Sequence, residues 1–142
     1  MTVIVWKDGQ MAADSQAATE YGCITGSIRK VMLLGNGKYQ LGVSGTALAI
    51  GPLKAWVNGG CDGAPPSPVS GKSYSAILVQ DHTHGWIIQD GGAERFDISQ
   101  PLCIGSGAEI AYGALAMGAT PIQAVQAAID RSIYCGGEIH SV

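Results

Sequence analysis

Charge is scarce in this sequence. Asp, Glu, Lys and Arg supply only 13% of 142 residues, about half the usual share. Eight Lys+Arg stand against eleven Asp+Glu, for a formal net charge of -3. There is no basic stripe, which excludes a protein built to grip a phosphate backbone, so no nucleic-acid partner is expected. Aromatic residues are few as well, at 6%. Trp6, Trp56 and Trp86 lack basic interleaving and read as core or interface fillers rather than base-stacking platforms. No CxxC pair occurs among Cys23, Cys61, Cys103 and Cys135, which argues against a zinc site. Asp81, His82 and His84 have no further ligand in view and read as a solvated turn, so neither metal nor cofactor is expected. A signal peptide is lacking too, which points to a cytoplasmic chain whose cysteines are reduced, small and buried. The longest uncharged stretch, Ile110–Ile129, is divided by Gly113, Gly118, Pro121, Gln123 and Gln126. It reads as two packed helices, and no membrane span is expected.

What the chain has in quantity is apolar residues, at 46%, and glycine, at 21 residues. The first makes a packed core feasible; the length suits one domain, residues 1–142. Glycine at about twice its average share predicts tight turns and close backbone approaches. A short chain with so little charge is expected to hide part of its surface in an assembly, as a homo-oligomer.

Thr2–Lys7 reads as a strand, Asp8-Gly9 as a hairpin turn, and Gln10–Ala13 as the returning strand. A less patterned segment follows. Ile28–Leu34 and Tyr39–Ser44 read as strands around Gly35-Asn36-Gly37. Ala47–Val57 predicts a short helix broken or restarted near Gly51-Pro52. Gly59–Gly71, rich in Gly and Pro, predicts a long loop, mobile or lying across a neighbour. Ser73–Val79 and Gly85–Gln89 are further strands, and Phe96–Ile98 adds a short piece. A helix is expected from Gly105-Ser106-Gly107 to about Met117. A second starts at Thr120, with Pro121 at its first position and Gln123 completing a capping box. Ile122, Val125, Ile129 and Ile133 recur at helical spacing and predict its buried face. Gly136-Gly137 would stop it, and Glu138–Val142 would form a last strand. The order implies a layered α+β fold with helices covering antiparallel sheets.

The start of the chain has a chemical possibility. Met1 precedes a small residue, so methionine removal would expose Thr2. A terminal Thr carries a hydroxyl nucleophile and, in its own α-amine, a base of pKa about 7.7–8.0. A retained Met1 would block that amine.

Four stretches then occur in order: Thr2-Val3-Ile4-Val5 leading to Met11-Ala12-Ala13-Asp14-Ser15-Gln16-Ala17; Ile28-Arg29-Lys30-Val31; Gly42-Val43-Ser44-Gly45-Thr46-Ala47; and Cys103-Ile104-Gly105-Ser106-Gly107, continuing through Ala111-Tyr112-Gly113 to Arg131-Ser132-Ile133-Tyr134-Cys135-Gly136-Gly137. This ordered set resembles the proteasome β-subunit family, including HslV, of N-terminal-nucleophile (Ntn) hydrolases. The resemblance implies a four-layer αββα sandwich of antiparallel sheets. It implies that Thr2 is the nucleophile, that Asp14 orients Lys30, that the Gly45 N–H receives the oxyanion, and that Ser106 bonds near the terminal amine. The family's closing Asp and Ser fall on Ser132 and Cys135, and Gln16 replaces the usual Arg. Gln16, Ala17 and Thr46–Ala49 would line the substrate pocket. Between Gly45 and Ser73 there is too little chain for the family's two long helices, so a shortened helical layer is expected after residue 46. The implied activity is that of a threonine-type peptide hydrolase acting on peptides or unfolded proteins. It would work in a homo-oligomer, possibly a ring, with an unfolding ATPase as a possible partner. The missing acid at Ser132 keeps a catalytically inactive scaffold open, and an Ntn amidase for small substrates is the third alternative.

Overall fold

The computed structural model describes residues 2–142. β1 (Ile4–Lys7) and β2 (Gln10–Ala13) form the hairpin expected at Asp8-Gly9. Both turn residues have positive φ, 49° and 85°, as a two-residue turn matching the strand twist demands. β3 (Gln16–Ala18) and β4 (Ile24–Ser27) pair only with each other, as a projecting hairpin. This hairpin fills the segment that carried no pattern. Next come β5 (Val31–Leu34), β6 (Tyr39–Gly45), a single 3-10 turn over Ala47–Ala49, and α1 (Ile50–Asn58). The expected strand from Ile28 begins only at Val31.

β7 (Tyr74–Gln80), β8 (His84–Gln89) and β9 (Gly92–Phe96) continue the meander, so β5 to β9 lie side by side in one antiparallel sheet. β10 (Leu102–Ile104) crosses to the other sheet and pairs with β1. α2 (Ala108–Ala116), α3 (Pro121–Arg131) and β11 (His140–Ser141) complete the chain. The order of the second sheet is β10-β1-β2-β11.

The result is an αββα sandwich, and its layering explains the run Val3-Ile4-Val5-Trp6. Alternate residues of a strand face opposite sides. Ile4 and Trp6 point between the sheets, where they meet Met11, Val31, Ile77 and Val79. Val3 and Val5 point outward, beneath Ala111, Leu115, Ala124 and Val125 of α2 and α3. Both faces of the sheet are covered, so the strand is apolar throughout and shows no polar alternation. On the far side α1, with Ala49 of the 3-10 turn, covers β5–β8, through Leu53 and Val57 against Leu41, Leu78 and Ile88. The helical layer after residue 46 is thus a 3-10 turn and nine helical residues.

Several expectations need correction. The expected restart is present as the change from a 3-10 turn to α1 at Ile50, but Pro52 itself does not break α1: it is the third residue of that helix, a position where Pro is tolerated. The capping box of α3 is present, with Gln123 N donating to Thr120 Oγ1 at 3.2 Å and Thr120 N to Gln123 Oε1 at 2.9 Å. Its buried face, however, is Pro121, Ala124, Val125 and Ala128. Ile122 is 40% exposed and Ile133, beyond the helix, 85%. Val125 and Ile129 of the expected face do pack on the core, while small residues allow α3 to lie close on β1 and β2 and leave Ile122 and Ile133 outside it. α3 ends at Arg131, before Gly136-Gly137. The reading of Asp81, His82 and His84 as a solvated turn holds: Asp81 and His82 sit in the turn at positive φ, and exposed His84 stacks on Trp86. Cys103 and Cys135 are buried as expected, but Cys23 is exposed and Cys61 half-buried. The loop after Asn58 is anchored: Trp56 Nε1 donates to the Asp62 carbonyl at 3.1 Å and Tyr74 Oη to that of Pro66 at 2.5 Å. Among the described residues no helix is long and apolar enough to cross a membrane.

Candidate active site

Both sheets contribute to one cluster. Asp14 follows the last residue of β2 and is fully buried. Lys30 immediately precedes β5 and is 5% exposed. Lys30 Nζ lies 2.9 Å from Asp14 Oδ1. The same oxygen accepts Val3 N at 3.1 Å, and Asp14 Oδ2 accepts Gly136 N at 3.1 Å. One carboxylate therefore ties the lysine to the residue after Thr2 and to the loop behind α3. A buried carboxylate needs such donors, because an unpaired charge out of water is costly.

Thr2 is 4% exposed. Its backbone N donates to Ser106 Oγ at 3.0 Å, and its carbonyl accepts Gly107 N at 3.1 Å. The N-cap of α2 is Gly107, and the Ser106 hydroxyl just before it faces Thr2. Gly105 lies at φ +96°, where a Cβ would collide with the Thr2 carbonyl. The chain at Gly105 must be glycine for Thr2 to sit there.

Ser132 and Cys135 lie behind the ion pair. Burial, and then the Asp14 charge, push the Cys135 thiol up; its hydrogen bond with the Ser132 side chain and the Lys30 charge pull the other way. The thiol also packs where a Cβ on Gly107 would be, 2.8 Å from Sγ.

Thr2, Lys30 and Gly45 line a cleft of about 580 Å³. Val43 N donates to the Lys30 carbonyl at 2.9 Å. Two residues further along β6, strand alternation turns the Gly45 N–H to the same edge, beyond the last β5 pairing at Val31. That places it at the Lys30 end of the cleft. Gly45 has φ +100°, and a Cβ there would lie 2.7 Å from the Ser73 carbonyl oxygen. Hence the seven residues singled out from the sequence converge: three line the cleft, and Asp14, Ser106, Ser132 and Cys135 are joined to those three or to one another.

The expected pocket wall is only partly right. Gln16, Ala17, Thr46 and Ala47 line the cleft, whereas Ala49 is buried in the α1 core and Leu48 points to solvent. Ala18, Thr19 and Glu20 from the β3–β4 hairpin, and Lys72 and Ser73 ahead of β7, were missed. So were the backbone donors of Val3 and Gly136, although Gly136 stands in a stretch already singled out. Met1 and its removal lie outside the described residues.

In three dimensions the chain matches eukaryotic HslV from Trypanosoma brucei with a TM-score of 0.73 at 14% sequence identity. The match covers 100% of this chain and 98% of that one. At this identity the likeness is one of fold: the αββα sandwich of antiparallel sheets flanked by helices. The sequence itself matches no protein-family model and no curated protein.

Proposed function

We propose that this chain is a threonine-type peptide hydrolase whose nucleophile is Thr2, exposed by removal of Met1. The observation that carries the reading is the single oxygen of Asp14 shared by Lys30 Nζ and Val3 N, beside a Thr2 backbone nitrogen bonded to Ser106. A buried cation held at the foot of a terminal threonine favours the alkoxide and opposes protonation of the α-amine.

In the reaction, Thr2 Oγ1 forms a bond to the scissile carbonyl carbon while the α-amine takes the hydroxyl proton. The Gly45 N–H donates to the developing oxyanion. The C–N bond then breaks, and the ammonium returns the proton to the leaving amine. An ester on Thr2 remains. The free amine next deprotonates water, whose oxygen attacks the ester carbon and releases the acid with the hydroxyl restored. No step needs a metal or cofactor. Substrate would be a peptide or unfolded protein, and the chain would act in a cytoplasmic homo-oligomer, possibly a ring fed by an ATPase.

Intact-protein mass before and after a β-lactone electrophile tests this. The expected result is loss of Met1 and one adduct per chain at Thr2, abolished in Thr2→Ala, together with peptide turnover. A free Thr2 without adduct or turnover would sink the reading in favour of a scaffold. Adduct formation on a monomer that cleaves only small amides would favour an amidase.

A further inference from the structure

We propose that Asp90 is a positioning residue for the oxyanion donor Gly45, acting through Ser73 and Tyr74 across the open end of the β7–β8 hairpin. This rests on the hydrolase reading above. Asp90 stands in the turn between β8 and β9, at φ 49°, followed by Gly91. Its two oxygens are both used: Oδ2 accepts the Ser73 hydroxyl at 2.6 Å and Oδ1 accepts Tyr74 N at 2.9 Å. The bond from Ser73, and after it that from Tyr74, holds the carboxyl below its ordinary range. It is therefore an ionised, two-point clamp on the first residues of β7.

Those residues are the ones against which Gly45 is set. Gly45 is opposite Tyr74 in the β6–β7 ladder. Its α-carbon faces the Ser73 carbonyl and the Tyr74 α-carbon so closely that no side chain fits. One residue on, Thr46 N donates to the Ser73 carbonyl at 3.4 Å. The peptide carrying the Gly45 N–H is thus pinned on one side by Val43 N to Lys30 and on the other by Thr46 N to Ser73. The second bond is long, and Ser73 lies at the exposed start of a strand next to the Gly/Pro-rich loop. Tyr74 is also held by its hydroxyl on the Pro66 carbonyl and by its pairing with Gly45, but Asp90 supplies the acceptor for both the Ser73 hydroxyl and the Tyr74 N–H. Without it the Ser73 end of β7 loosens, and the donor loses part of the fixed aim that stabilises an oxyanion without reorganisation. Asp90 touches neither substrate nor reacting atoms; it acts only by holding the strand.

The test is Asp90→Asn in the full chain with Thr2 free. Asn tolerates the positive φ, so the turn is kept while the charge is lost. Asp97→Asn is the control, because one Asp97 oxygen accepts the Ser99 N–H and hydroxyl in a local turn outside the cleft. Amide hydrogen exchange and peptide turnover are read together. In Asp90→Asn, exchange at Gly45 and Thr46 rises and kcat falls about fivefold, with KM held within about twofold, the loss of one weak hydrogen bond's worth of transition-state binding. Asp97→Asn leaves both readouts unchanged. Unaltered exchange at Gly45 and Thr46 overturns the positioning role whatever turnover does. So does raised exchange with unaltered kcat. Wild-type protein that takes up no electrophile at a free Thr2 overturns the hydrolase reading separately, and exchange alone then decides whether Asp90 sets the Gly45 backbone.

Discussion

A double-mutant cycle on Asp14 and Lys30 probes the physical centre of the site. Both side chains are out of water, 0% and 6% exposed, with 2.9 Å between Oδ1 and Nζ. Replacing Lys30 by Met leaves a buried carboxylate with only the Val3 and Gly136 amides to hold it. Replacing Asp14 by Asn keeps the shape but removes the charge facing Lys30 and sets an amide NH2 where one carboxylate oxygen accepted a donor. Removing one partner of a buried pair costs about 3–5 kcal/mol, so each single variant is expected to lose about that much. Against a total stability of about 5–15 kcal/mol, both should fold while lying close to their limit. The double variant removes both charges. Its loss should fall short of the summed singles by about 2 kcal/mol or more, because each single breaks the same buried charge-assisted contact, which the double variant loses only once. Urea unfolding followed by tryptophan fluorescence measures this, with an unchanged slope as the condition for comparing midpoints. Additivity within about 0.5 kcal/mol would refute the coupling. The pair would then be two independently satisfied groups, and a lysine held by Asp14 could not be the basis of the chemistry.

Two other predictions concern the surface and the thiols. The exposed Lys72–Glu20 pair, at 3.4 Å with the side chains 57% and 75% exposed, links the β3–β4 hairpin to the far wall of the cleft. Lys72→Ala should lower stability by less than about 1 kcal/mol in thermal unfolding; a loss above about 2 kcal/mol would mean that the hairpin docks through it. Iodoacetamide at pH 8 should modify Cys23 first. Cys103, whose thiol burial pushes up to about 12, should stay unmodified until the protein is denatured, because the thiolate is the reactive form. Peptide mapping by mass spectrometry reads the order, and early Cys103 labelling would contradict the packing of β10 against α2.

The parts of the fold legible in the sequence are those whose signal is local. Asp8-Gly9 dictates a turn because only a few residues tolerate two successive positive φ values, and Thr120-Pro121-Ile122-Gln123 starts a helix by satisfying its first donors. The β3–β4 hairpin is illegible for the opposite reason. It lies on no core, so Gln16–Ser27 carries no alternation, and β4 is exposed along its whole length. β10 has three residues and borrows its strand character from pairing with β1. The α3 face was misread because Ala, the residue that lets a helix approach a sheet, weighs little in a count of large apolar positions. In the site, Thr2, Asp14, Lys30, Gly45 and Ser106 were visible through their resemblance to a known ordered set. The groups that hold them were not, since Val3 N and Gly136 N are backbone atoms present at every position, and only the tertiary fold selects them.

The cluster sits at the seam of the sandwich, which ties its geometry to the packing between the sheets. Thr2 precedes β1 and Asp14 follows β2, both in one sheet; Lys30 precedes β5 and Gly45 ends β6, both in the other. Their relative positions depend on how far apart the sheets lie and how they slide. Gly42 governs that distance near the site. It is opposite Val31, one residue from Lys30, and a Cβ on it would stand 2.8 Å from Ile4 Cγ2 and 2.9 Å from Met11 Sδ. The sheets touch there through the bare backbone of β6. A side chain there would force Ile4 and Met11 to shift or β6 to move off β1 and β2, and the second would carry the Lys30 end of β5 away from Asp14 against the 2.9 Å ion pair. Close sheet contact at Gly42 and the buried ion pair therefore act on the same spacing between the sheets, one residue apart along the chain entering β5.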